Sequence, residues 1–136
     1  MKQALGAAAV VLCFVFLAAP AGAQTAQDPA REAYIAEADP ICKAAFSKRS
    51  RSWGAVGRNI GRMARKLDRI PKPPADAERL ERWTDALRRF GRLSMRLGGA
   101  LQREKPGPIR KAVKRLNDAQ DDRLDESRGY GFEVCR

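Results

Sequence analysis

Prolines divide this chain more sharply than any other residue. Pro71-Lys72-Pro73-Pro74 and Pro106-Gly107-Pro108 are breaks that an α-helix cannot run through without losing backbone hydrogen bonds. Between them, apolar residues recur every three or four positions. Trp53, Val56, Ile60, Met63, Leu67 and Ile70 form one row, which Cys42 and Phe46 extend backwards. Leu80, Trp83, Leu87, Phe90, Leu97 and Leu101 form a second, widened by Ala86, Leu93 and Ala100 and interrupted by Ser94. Ile109, Ala112, Val113, Leu116, Ala119 and Leu124 form a third. At 100° per residue each row is one stripe along a helix. No segment alternates apolar and polar residues for long enough to make a strand. The expected fold is all-α: an antiparallel bundle of three long helices over 41–70, 77–104 and 108–128, joined by short loops. Asp76 is placed to cap the second helix, and Gly129 to end the third in a left-handed conformation.

Two segments precede the bundle. Residues 1–23 have the pattern of a signal peptide: Lys2, an uncharged apolar run from Ala4 to Ala19, then Pro20 and the small residues Ala21-Gly22-Ala23. Cleavage after Ala23 leaves Gln24–Arg136 and a secreted or extracytoplasmic protein. An uncleaved membrane anchor is the alternative, because about 20 apolar residues suffice to span a bilayer. Cys13 follows Leu12 rather than a small residue, which argues against lipidation. Residues 24–39 form an acidic lead-in, with a short helix expected around 30–38 from the Asp28-Pro29 start signal. Asp39-Pro40 repeats that signal and opens the bundle domain, 40–136.

Loss of the leader leaves two cysteines, Cys42 and Cys135, in a chain bound for an oxidising compartment. One structural disulfide is the expected state; free thiols or an intermolecular bridge are the alternatives. No CxxC spacing tunes a redox pair. The staple also constrains the helix count. In a three-helix up-down-up bundle the third helix climbs about 30 Å, and the seven residues after it return at most about 25 Å. Joining Cys135 to Cys42 is therefore strained unless the third helix ends early or the first is broken near Ser50–Gly57, giving four helices. Gly54, Gly57 and Gly61 beside the first seam fit either such a break or the close approach of another helix.

Ile41-Cys42 early in the chain and Tyr130-Gly131-Phe132 with Cys135 at its end flank Pro73-Pro74 and Trp83. This combination resembles a group of uncharacterised small secreted α-helical proteins of high-GC Gram-positive bacteria, over most of residues 33–136. The resemblance implies export, a disulfide and helicity, and it carries no activity.

The chain has no histidine. That removes Ser-His-Asp and Cys-His nucleophile pairs, HExxH zinc sites and any imidazole base, and no glycine-rich phosphate loop is present. The chain is expected to be non-catalytic, with no cofactor and no metal; a site of unusual type is the remaining enzymatic possibility. Asp118, Asp122 and Asp125 share a helix face that a hard cation could use, but without EF-hand spacing they fit better as surface acids or as a balance for the basic first helix. Trp53, Met63, Trp83 and Phe90 could line a ligand pocket, although at this spacing they are expected to be core.

Charge is the feature left over. Lys and Arg number 27 against 16 acids, for a net charge of +11, and removal of Lys2 with the leader lowers it by one. Arg58, Arg62, Arg65, Lys66 and Arg69 lie opposite the first apolar seam, and Arg89, Arg92, Arg96 and Arg103 lie on the outer side of the second helix. The stripe is either a solvated face or a binding face for an anionic cell-envelope polymer or lipid headgroups. Nucleic acid is disfavoured by export and by aromatics that sit in the seams rather than among the arginines. The functional expectation is a secreted binding or structural module of the cell envelope. The alternative is an extracytoplasmic chaperone or adaptor that uses an apolar groove.

Overall fold

The computed structural model describes residues 28–136; the expected signal peptide lies outside them. Within this range the chain is all-α and has four helices rather than three long ones: α1 (Pro29–Phe46), α2 (Trp53–Leu67), α3 (Ala77–Gln102) and α4 (Pro106–Ser127). A single 3-10 turn, Pro74–Asp76, leads into α3.

Asp28 starts α1 as expected, its carboxylate accepting the Ala30 N–H at 3.0 Å with Pro29 behind it. The helix does not stop at 38. It runs through Pro40, which has no N–H to donate to the Ala36 carbonyl; both residues are on the exposed side, where water can take up the freed carbonyl. The break expected near Ser50–Gly57 falls slightly earlier, at 47–52. Ser47 closes α1 and Ser52 opens α2, its hydroxyl accepting the Ala55 N–H at 3.2 Å. Ser50–Gly57 is thus mostly helix, and its glycines serve the other purpose.

Gly57 and Gly91 touch backbone to backbone: a Cβ on Gly91 would lie 2.9 Å from the Gly57 carbonyl oxygen. Gly98 approaches the Gly54 nitrogen equally closely. This seam brings α2 against α3, and α4 packs antiparallel along the other side of α3. Together the three form a layer with α3 in the middle.

α1 lies antiparallel along α2, but over only part of its length. Ala45, near the end of α1, accepts a hydrogen bond from Asn59, six residues into α2. The other end of α1 meets the start of α3, where Arg31 pairs with Asp76 at 2.8 Å. Half of the layer is therefore covered by α1, and the half holding the start of α2 and the end of α3 is not.

The tail completes the covered half. Arg128 and Gly129 (φ 71°) turn the chain after α4, and the Tyr130 N–H bonds to Ser127 across a type II turn. Gly129 is left-handed as expected, but in this turn rather than at a helical cap. Phe132 stacks on Trp83 at 4.7 Å and tilts against Tyr34 and Tyr130. The Asp39 carboxylate then accepts three consecutive backbone N–H groups, from Glu133, Val134 and Cys135, at 2.9–3.1 Å. Cys135 reaches Cys42 and the disulfide is formed, with Cα atoms 5.3 Å apart. The broken first helix is what makes this possible: with α1 separate, Cys42 lies where the tail returns.

The core follows the three apolar rows over the covered half, with Met63, Leu67, Leu80, Trp83 and Leu87 all but inaccessible. Ser94 is buried too, and its hydroxyl is satisfied by the Phe90 carbonyl at 2.9 Å. Four residues expected inward are exposed instead: Phe46, Trp53, Leu101 and Val113. The first three lie at or beyond the point where α1 stops, and Val113 lies on the exposed opening turns of α4.

Candidate functional site

Charge separates along the length of the bundle. From Lys43 to Lys66 there are eight Lys or Arg and no acid; from Arg88 to Arg103 there are five and none; from Lys105 to Arg115 there are five more and none. These stretches are the end of α1 with the following loop, nearly all of α2, the second half of α3, and the first half of α4. Antiparallel packing brings the start of α2, the second half of α3 and the first half of α4 to the half of the layer that α1 leaves open, while the rest of the α2 stripe runs on alongside α1.

Arg58, Arg62, Arg65, Lys66 and Arg69 are all exposed. At 100° per residue Arg58, Arg62, Arg65 and Arg69 fall within about 60° of one another, with Lys66 just beyond. Among the described residues none of the five has a carboxylate within ion-pair distance. The spacing thus identified a real exposed stripe.

Sequence reasoning missed the contribution of α4. Arg92 and Arg96 of α3 and Arg115 of α4 converge on one shallow groove, joined by Arg89. The groove continues past Arg103 and Lys111. Among the described residues, Arg89 alone of these six cations has an acidic partner, Asp122 at 2.7 Å. The acid-free run from Lys105 to Arg115 was the available signal; what the sequence does not give is its placement beside α3.

The acids behave differently. Asp122 and Glu126 reach across to Arg89 and Arg82 of α3, at 2.7 and 2.8 Å. Asp118 pairs with Lys114, and Asp125 with Arg128. The acids of α4 therefore balance α3 and α4, not the basic first stretch. Among the described residues no three potential ligands converge as a metal cage. Asp76 is not the side-chain cap that the sequence suggested. Its carboxylate takes a two-pronged contact from Arg31 and a hydrogen bond from the Tyr130 hydroxyl at 3.2 Å. The Arg31 guanidinium holds the Asp76 carboxyl below the usual carboxylate range. This cluster ties α1, α3 and the tail together at the covered end.

Buried phenols and one half-buried cation complete the electrostatics. Burial pushes the Tyr34 hydroxyl up to about 12, and it also raises Tyr130, with help from the neighbouring Asp76 charge. Arg123 lies over the Phe90 ring at 5.7 Å, and burial lowers its pKa. Met63, Trp83 and Phe90 are buried in the core, as their spacing suggested. Trp53 instead borders an open groove with Arg51, Arg58, Met95 and Leu101. Among the described residues no helix is long and apolar enough to cross a membrane. No family model, curated protein or solved structure matches this chain.

Proposed function

We propose that this chain is an exported, non-catalytic binding module of the cell envelope whose exposed basic face holds an anionic partner. One observation carries the reading: acid-free basic stretches of α2, α3 and α4 present exposed cations, most of which have no acidic partner among the described residues, whereas four of the acids of α4 are paired with neighbouring cations. Gathering like charges on a folded surface opposes folding through self-repulsion, and a bound polyanion relieves it.

The chemistry available supports binding over catalysis. The chain has no histidine, and its two cysteines in the described range are joined to each other. Arginine dominates the stripe, and its planar fork suits phosphate and carboxylate groups. Export and attachment to the envelope rest on the leader pattern of residues 1–23.

Replacement of Arg58, Arg62 and Arg65 by Ser tests the reading. All three are exposed and have no acidic partner among the described residues, so the helical circular-dichroism spectrum should be unchanged. Retention on an immobilised anionic polymer should be lost. Unchanged retention would sink the assignment of this stripe.

A further inference from the structure

Seven aromatic residues lie in the described range, and five of them are buried: Tyr34, Trp83, Phe90, Tyr130 and Phe132. The other two, Phe46 and Trp53, are 44 % and 40 % exposed. They flank the α1–α2 loop, whose sequence between them is Ser47-Lys48-Arg49-Ser50-Arg51-Ser52. Beside Trp53, Leu101 and Met95 are 42 % and 41 % exposed, and Arg51 and Arg58 border the same groove. The open end of the bundle is therefore a mixed surface, with large apolar side chains set among cations that have no acidic partner among the described residues.

We propose that this tip docks onto an anionic phospholipid bilayer. Phe46, Trp53 and Leu101 enter the headgroup region while Lys48, Arg49, Arg51 and Arg58 lie at the level of the lipid phosphates. The inference rests on the anion-binding reading above and names the partner. Charge complementarity selects this occupant. A soluble polyanion would be held by the cations alone and would leave Phe46 and Trp53 in water. A bilayer surface takes both kinds of group, since aromatic side chains favour the membrane–water interface and basic residues favour an anionic leaflet. A second copy is disfavoured, because apposing two such ends would bring the unmatched cations of both together. With no crossing helix among the described residues, docking here is peripheral and depends on salt and on lipid charge.

The geometry explains why Trp53 and Leu101 are exposed. α1 stops beside Asn59, so the first turn of α2 and the last turn of α3 extend past it. Cys42–Cys135 and the Asp39 contacts hold α1 in place within a turn or two of its end. The tip is thus a fixed projection.

The test uses the processed chain, Gln24–Arg136, with vesicles of phosphatidylcholine alone or mixed with phosphatidylglycerol, and with inorganic polyphosphate as a soluble polyanion. The wild type should cosediment with the anionic vesicles only. Acrylamide quenching of tryptophan should then fall, and the change reports Trp53 because Trp83 is buried. F46S/W53S should weaken vesicle binding about tenfold or more, as expected for two aromatic groups withdrawn from the interface, and should leave polyphosphate binding unchanged. Replacing Lys48, Arg49 and Arg51 by Ser should weaken vesicle binding about a hundredfold. If F46S/W53S binds vesicles as the wild type does, insertion is overturned. Binding to polyphosphate but not to vesicles overturns the lipid assignment and leaves the anionic partner standing. Binding to neither removes the anion-binding reading itself. A dimer in sedimentation with Trp53 shielded in the absence of lipid would assign the tip to a second copy, against this inference.

Discussion

Two glycines on α2, four residues apart, should respond to the same substitution with opposite signs. A Cβ on Gly57 would collide with the Gly91 carbonyl oxygen and come within 2.6 Å of the Met95 Cγ and 2.9 Å of the Met95 nitrogen. The Met95 side chain can swing away, being partly exposed, but the two α3 backbone atoms move only if the helices separate. Overpacking of this kind costs about 1–3 kcal/mol, offset by up to about 1 kcal/mol gained in helix propensity. A Cβ on Gly61 meets only the Arg65 guanidinium, at 3.8 Å, so Gly61→Ala keeps the propensity gain. The expected spread between the variants is about 2 kcal/mol, or about 1 M in urea midpoint for a protein of this size. Urea titration of the oxidised protein, followed by helical circular dichroism, measures it. Gly57→Ala should unfold below the wild type and Gly61→Ala at or above it. Equal shifts, or Gly57→Ala as stable as the wild type, would refute the close approach of α2 and α3.

Other contacts give independent tests. Asp39→Ala leaves three consecutive tail N–H groups without their acceptor and should cost about 1–3 kcal/mol; amide exchange at Glu133–Cys135 should accelerate more than anywhere in α3. Reduction of Cys42–Cys135 opens a loop with a sequence separation of 93, and loop-closure entropy puts the loss at about 4–5 kcal/mol, read as a fall in thermal midpoint on adding reductant. Tyr34 and Tyr130 have phenol pKa values raised by burial, so the fold favours their neutral forms. That stabilisation is complete below the unfolded phenol value of about 10 and is lost as pH rises through the folded values; phenolate absorbance should therefore appear together with unfolding rather than before it.

The long, regular rows made α3 and α4 legible, because the structure keeps their periodicity from cap to cap. The first row misled for a specific reason. Phe46 and Trp53 are seven residues apart, close to two helical turns, so the stripe stays in phase across a loop that is not helical. Only the reach needed by Cys135 exposed the break, a constraint from distance rather than from pattern. Asp76 was misread because its partners, Arg31 and Tyr130, lie 45 and 54 residues away, whereas a cap is judged from its neighbours alone. The α2 basic stripe needed only spacing and was visible. The α3–α4 groove needed the antiparallel alignment of Arg96 with Arg115, which no single segment encodes. Exposure of Phe46 and Trp53 was hidden for a similar reason: it depends on where α1 ends relative to Asn59.

The unmatched cations of the basic face are proposed to bind an anion. The most direct test is the salt dependence of binding to an anionic polymer, compared between the wild type and the variant with Arg58, Arg62 and Arg65 replaced by Ser. Each anionic contact formed releases counterions, so affinity should fall steeply as salt rises, and the logarithmic slope should be shallower in the variant by about one unit for each lost contact. A wild-type affinity that does not respond to salt, or a variant with the wild-type slope, would contradict the account.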